Sequence, residues 1–215
     1  VKGLFITFEG PDGSGKTTQM KLLGERLASM GADVVRTREP GGTPIGDRLR
    51  EIVLSPDNGE MMDETEILLY AASRAQHVRE VIVPALERGK VVICDRFVDA
   101  SIAYQGYGLG RDPEEVARIN RFATGGLRPH RTYLLDVPAA VSRERLLSRA
   151  LAASGAGLDR IEQKEREYHE RVRDGFLLIA KAEPQRVMLI DANRTVADIA
   201  ADIHADFDRL LQQQQ

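Results

Sequence analysis

Gly10-Pro11-Asp12-Gly13-Ser14-Gly15-Lys16-Thr17 is the stretch on which the reading of this chain turns. It fits the pattern G-x-x-x-x-G-K-[ST]. The apolar run at 4–8, with Leu4, Phe5, Ile6 and Phe8, reads as a strand leading into it. After it Met20, Leu23 and Leu27 recur at helical spacing over 17–30, until Gly31 stops the helix. Strand, glycine-rich turn and helix together make a phosphate-binding loop. Glycines let the backbone wrap until successive N–H groups point inward at an anion, and the following helix adds the partial positive charge of its N-terminus. Lys16 then reaches the phosphates and the Thr17 hydroxyl is placed to ligate Mg²⁺. The expected nucleotide contacts are Gly10, Pro11, Asp12, Gly13, Ser14, Gly15, Lys16, Thr17 and Thr18.

Outward from this loop, short apolar runs alternate with longer amphipathic stretches, the pattern of βα units on a parallel sheet. Further strands are predicted at 32–37, 90–94, 131–137 and 186–191. Helices are predicted at 44–54, at 63–88 with a break at Pro84, and at 113–124, 139–152, 160–182 and 196–211; Gly89 and Gly125 act as stop signals. The expectation is one α/β domain spanning 1–215: a P-loop NTPase fold with a five-stranded parallel sheet, helices on both faces and a short lid. The glutamines at 212–215 read as a frayed tail.

The 215 residues are 42% hydrophobic and 29% charged, ample for a buried core. Thirty Lys and Arg against 33 Asp and Glu give a net charge of -3, which argues against nucleic acid as the main partner. No run of about eighteen apolar residues occurs, and the chain opens on a strand-like segment, so the expectation is a cytoplasmic protein with no membrane partner. The single cysteine, Cys94, lies in the apolar run at 91–94 and reads as strand packing. His77, His130, His169 and His204 form no metal-ligand spacing and take no catalytic task.

A phosphate loop alone leaves ATPases, GTPases, motor proteins, kinases and plain nucleotide-binding modules open. No Asn-Lys-x-Asp run of the kind guanine-specific proteins carry is present. Asp95 follows the apolar strand at 91–94, where a carboxylate emerges at the carboxyl edge of a parallel sheet and can hold a Mg²⁺ shell. Arg96 comes next and brings a cation for phosphate from the same strand end.

Four segments then act jointly: Thr37-Arg38-Glu39-Pro40-Gly41-Gly42-Thr43; Leu69-Tyr70-Ala71-Ala72-Ser73-Arg74-Ala75-Gln76-His77; Asp95-Arg96-Phe97 leading into Ser101-Ile102-Ala103-Tyr104-Gln105-Gly106; and Leu158-Asp159-Arg160-Ile161-Glu162. With the phosphate loop, and in this order and spacing, they resemble bacterial thymidylate kinases over essentially the whole chain. The resemblance implies transfer of the γ-phosphoryl group of ATP to dTMP, giving dTDP and ADP on the way to dTTP, with Mg²⁺ as cofactor and a homodimer as the assembly. It implies that Asp12 accepts from the deoxyribose 3′-hydroxyl, Tyr70 stacks on thymine with Pro40 beside the ring, and Arg74 donates to a thymine carbonyl. Gln105 would read another polar edge, and Tyr104 would crowd the sugar 2′ position and disfavour ribonucleotides. Arg38 or Arg48 would help hold the dTMP phosphate with Arg96; Glu39 would orient a metal-bound water or the acceptor, and Ser101 completes the acceptor set. Tyr70 and Arg74, four apart, share a helix face. The apolar face of the helix that carries Ile67, Leu68 and Val78 could bury against a partner or equally serve the core.

Some thymidylate kinases carry an arginine in the phosphate loop where Gly13 stands here. Others bring it from a lid, and the resemblance implies that in this chain the lid supplies it. The Ala- and Gly-rich stretch at 148–159 has a lid's composition, and Arg149, then Arg160, are the candidates for a catalytic arginine beside Lys16, Arg96 and Asp95. The segment Asp191-Ala192-Asn193-Arg194, just past the last strand, is placed to pass the adenine by backbone contacts.

Overall fold

The computed structural model describes residues 3–152 and 157–212. Five strands, β1 (Leu4–Glu9), β2 (Val34–Arg38), β3 (Val91–Asp95), β4 (Arg131–Asp136) and β5 (Val187–Asp191), form one parallel sheet in the order β2-β3-β1-β4-β5. The strand order reverses beside β1, so the crevice at the carboxyl ends of β1 and β3 is where such a sheet binds ligands.

Side-chain alternation along β1 divides the core. Leu4, Ile6 and Phe8 face one side and pack with Leu23 and Leu27 of α1 (Lys16–Ser29), and with Ile203 and Phe207 near the C-terminus. Phe5 faces the other side, with Val92, Cys94, Val78, Ile82 and Phe97. On that second face Thr7 and Glu9 are also fully buried, and each has a partner: Thr7 Oγ1 bonds Thr132 Oγ1 at 2.7 Å, and Glu9 Oε1 accepts from the backbone N–H of Phe97 at 2.7 Å. Cys94 is strand packing, and burial pushes its thiol well above the usual range.

Helix α2 (Pro44–Leu54) starts where its sequence says it must: Pro44 opens it, and Thr43 Oγ1 accepts from Gly46 N at 2.9 Å. The predicted helix at 63–88 is interrupted earlier than expected. It runs as α3 (Asp63–His77), a π-helical stretch at Val78–Ile82, and α4 (Val83–Glu87), with Pro84 sitting harmlessly in the first turn of α4.

Past β3 lies an element the apolar pattern concealed: α5 (Val98–Ser101) continues as a π-helix, Ile102–Gly108. It is followed by α6 (Pro113–Thr124), α7 (Ala139–Ala152), α8 (Arg166–Ala182) and α9 (Val196–Gln212). The π-helix lies so close to α8 that a Cβ on Gly108 would fall 2.7 Å from Val172, and one on Gly175 would fall 2.6 Å from Tyr107. The helix predicted from 160 begins only at Arg166; residues 159–164 form turns in which Asp159 Oδ1 accepts from Ile161 N and Glu162 N. Among the described residues no helix is long and apolar enough to cross a membrane.

Candidate active site

The phosphate loop is built as its glycines require. Gly10, Gly13 and Gly15 all have positive φ, at 126°, 76° and 96°. A Cβ on Gly10 would fall 2.3 Å from the Leu135 carbonyl oxygen, and one on Gly13 2.9 Å from that of Ser142 in α7. Position 13 is therefore closed to a side chain on two counts, backbone conformation and the wall of α7. That wall is fastened to the loop: Ser142 Oγ donates to Asp12 O at 2.6 Å, and Arg145 Nη1 to Gly13 O at 3.3 Å and to Ala192 O at 3.4 Å. Arg145 thus ties the loop to the 191–194 segment. Lys16, 6% exposed, donates to the carbonyls of Gly10 and Pro11 at 3.1 and 3.0 Å, and burial, with Arg96 nearby, lowers its pKa. Its ammonium is curled onto the loop rim beside the phosphate nest.

Arg96 is the joint between two chambers. Among the described residues it is the one non-glycine with positive φ, 67°, a conformation that costs about 1 kcal/mol or more and is held by surrounding contacts. Its backbone N–H donates to Phe8 O at 2.9 Å. Its guanidinium donates to Gly10 O at 3.0 Å, Asp12 Oδ1 at 2.8 Å and Tyr104 Oη at 2.9 Å, and lies over the Tyr104 ring, 4.7 Å from its centroid. Burial pushes the Tyr104 hydroxyl well above its ordinary pKa, so it keeps its proton and donates to Asp12 Oδ2 at 3.4 Å.

On one side of this joint lies an outer, polar chamber lined by Asp12, Gly13, Gly15, Lys16, Thr17, Thr18, Asp95 and Arg38. On the other lies an inner chamber lined by Pro40, Tyr70, Arg74, Ser101, Tyr104 and Gln105. Asp12, Glu39, Arg50, Arg96 and Asp159 border both. Asp95 Oδ1 is buried with no hydrogen-bond partner, and with the exposed Thr17 hydroxyl it supplies the hard oxygen donors that Mg²⁺ takes; these residues fit the metal.

The inner chamber rests on buried ion pairs. Arg74, 2% exposed, donates from Nε to Glu39 Oε2 at 2.6 Å, from Nη1 to Ser101 Oγ at 2.9 Å and to Asn120 Oδ1, and from Nη2 to the Phe97 carbonyl at 2.8 Å. One Nη2 hydrogen remains for a ligand. Glu39 Oε1 meets His77 Nδ1 at 2.8 Å, and His77 Nε2 meets Thr37 Oγ1 at 2.6 Å. Glu39 thus holds Arg74 and His77 while bordering both chambers, and His77 has a positioning task that the sequence did not assign.

Two expectations change. Arg48 is exposed and lines neither chamber. Its place at the junction belongs to Arg50, whose Nη1 donates to Pro40 O at 3.0 Å. Helical spacing carried that signal, since Arg50 lies four past buried Gly46 and three before buried Val53. Arg160 is 9% exposed, with Nη2 on Glu66 Oε2 at 2.6 Å and Nε on the Val53 carbonyl at 2.9 Å, so in this structure it fastens the turns before α8 and lines neither chamber. The side chain of Arg149 and residues 153–156 of the expected lid lie outside the described ones. Glu66 was missed altogether, although it lies one turn before Tyr70 and two before Arg74 on the same face of α3.

Comparison with known proteins shows the family. A family model described as thymidylate kinase matches residues 8–203. A thymidylate kinase of Exiguobacterium sibiricum is 53% identical over 206 residues, 96% of this chain and 94% of that protein. One of Geotalea uraniireducens is 52% identical over 203 residues, covering 94% and 95% of the two chains. The crystal structure of the thymidylate kinase from Ehrlichia chaffeensis superposes with a TM-score of 0.77 at 34% identity, over 96% of this chain and 99% of that one. The chain belongs to the thymidylate kinase family.

Proposed function

We propose that this protein transfers the γ-phosphoryl group of ATP to the 5′-phosphate of dTMP, giving dTDP and ADP. One observation carries the reading: a phosphate loop and a base-sized chamber meet at a shared wall of Arg96, Arg50 and Asp12, so two phosphorylated ligands entering from opposite sides meet at guanidinium groups. Phosphoryl transfer asks for in-line placement and charge neutralisation, with little covalent work by the protein. Lys16 and the loop N–H groups hold the donor phosphates, and Arg96 and Arg50 hold the acceptor phosphate. Asp12 receives the 3′-hydroxyl, Tyr70 and Pro40 flank the base, and the spare Nη2 hydrogen of Arg74 meets a carbonyl at the 4 position of the pyrimidine. Thr17 and Asp95 would hold Mg²⁺, which when bound spreads the negative charge of the phosphates.

Arg149 at the end of α7 is the arginine assigned to the lid, since Arg160 is taken by Glu66. A homodimer is supported by exposed apolar side chains on three neighbouring helices: Ile45 and Ile52 on α2, Leu68 on α3 with Met62 just before it, and Phe122 on α6, the last 90% exposed. Of the residues the sequence left between partner and core, Ile67 and Val78 are buried in the core. A cytoplasmic location fits this chemistry, because ATP and dTMP are cytoplasmic metabolites. The test is ADP release with dTMP, dUMP, dCMP, AMP or thymidine as acceptor. The reading requires dTMP to be preferred and thymidine, which brings no phosphate, to be inert; equal rates across the set, or ADP release independent of any acceptor, would refute it.

A further inference from the structure

Behind the wall of the inner chamber, in contact with the lining residue Gln105, lies a buried carboxylate that the phosphoryl-transfer scheme does not use. Glu66 on α3 is 1% exposed, and its two oxygens are divided between two partners: Oε1 accepts from Gln105 Nε2 at 2.8 Å, and Oε2 from Arg160 Nη2 at 2.6 Å. A carboxylate only accepts, so it dictates which end of the Gln105 amide faces it. The nitrogen must point at Glu66, and the oxygen is left as the end available at the chamber wall, with no hydrogen bond among the described residues. Arg160 in turn holds Glu66 in place, because its own backbone N–H and Nε are bonded to the carbonyls of Leu54 and Val53 at 3.0 and 2.9 Å.

We infer that Glu66 is a specificity-determining positioning residue: it fixes Gln105 as a hydrogen-bond acceptor toward the base, so that the chamber accepts pyrimidines bearing an N3–H and rejects those whose N3 is bare. The inference rests on the dTMP reading. Donor from Arg74 and acceptor from Gln105 complement a 4-carbonyl beside an N3–H, the pattern of thymine and uracil. Cytosine presents the reverse, an amino group beside a bare N3, and would leave two buried polar groups facing their own kind, an arrangement that discriminates far better than a missing methyl does. If Gln105 were free to rotate, its amide nitrogen could donate to the bare N3 of cytosine, and only the Arg74 donor against the 4-amino group would still discriminate. Glu66 removes that freedom. The same carboxylate also grips Arg160, so the base-reading group and the turns before α8 share one anchor.

The test measures kcat/KM for dTMP and dCMP in Glu66→Gln and Gln105→Met, with KM for ATP alongside. In Glu66→Gln the new amide can donate as well as accept, so Gln105 can turn; the dTMP-to-dCMP ratio is expected to fall by about tenfold or more, with KM for ATP little changed. A merely structural Glu66 would lower the melting temperature and leave that ratio intact, and a well-folded Glu66→Gln with the wild-type ratio overturns the inference. Should loss of the ion pair prevent folding, Gln105→Met decides: it keeps Glu66 with Arg160 and should lose the same discrimination, whereas an unchanged ratio leaves Glu66 nothing to act through. If the wild-type protein itself does not prefer dTMP, it is the functional reading that fails, an outcome distinct from an unchanged variant ratio.

Discussion

Lys16 and Arg96 illustrate how much of the chemistry is carried by single side chains whose places are set by backbone shape. Lys16 lies against two loop carbonyls and is free to exchange them for phosphate oxygens. Lys16→Ala should lower kcat by roughly a hundredfold or more while secondary structure by circular dichroism is retained, because a charge is removed and no core position is emptied. Near-normal turnover would remove the phosphate-loop assignment. Tyr104 was expected to guard the sugar, and the structure adds that its hydroxyl bonds both Arg96 and Asp12. The two contributions separate by substitution. Tyr104→Phe keeps the ring and should keep the preference for deoxyribonucleotides, while raising KM for dTMP several-fold as Arg96 loses a partner. Tyr104→Ala should relax the sugar preference as well. Identical deoxy-to-ribo ratios of kcat/KM in wild type and Tyr104→Ala would take Tyr104 out of that role.

Among the secondary-structure elements, legibility followed chemistry. The five strands and the ends of α2, α6 and α7 could be read because apolar runs, Pro44, Pro113 and Gly125 mark them locally. The stretch from Val98 to Gly108 could not, since its two glycines look like turn residues until Pro113 of α6 is seen packed against Gly106 and α8 against Gly108. His77, Asn120 and Glu66 escaped for a related reason: a buried polar residue reveals its task only through a partner distant in sequence, as Arg74 is for Asn120 across 46 positions. The junction of α7 with the phosphate loop bears on the catalytic arginine. An arginine at position 13 is excluded by the positive φ and the Ser142 carbonyl, so a positive charge there must come from another element. Arg149→Ala should lower kcat by about two orders of magnitude with KM for dTMP little changed, since such an arginine meets the phosphates chiefly in the transition state. A wild-type kcat would leave Lys16, Arg96 and Arg50 as the full cationic set.

For the molecule as a whole, the buried Glu9 links stability to pH. Burial, reinforced by Asp99, raises its pKa from 4.5 to about 8, and only Oε1 has hydrogen-bond partners, the backbone N–H groups of Phe97 and Ala100. In the folded state this carboxyl keeps its proton to a higher pH than in the unfolded chain. Its contribution to stability is therefore fully present below about pH 4.5 and is lost progressively as pH rises toward 8. Glu9→Gln should accordingly gain melting temperature relative to wild type between pH 5 and pH 8; a constant difference across that range would show that Glu9 is ionised in the fold throughout. The exposed apolar side chains on α2, α3 and α6 predict that Phe122→Arg sediments as a monomer where the wild-type chain sediments as a dimer, and a monomeric wild type would remove the assembly. The account as a whole stands on the direct passage of a phosphoryl group from one chamber to the other. The measurement that tests it is the fate of label from ATP marked at the γ-phosphate, incubated with Mg²⁺ and dTMP and separated by chromatography: label is expected in dTDP, in amounts matching the ADP formed, and label found in inorganic phosphate, or left in ATP, would contradict it.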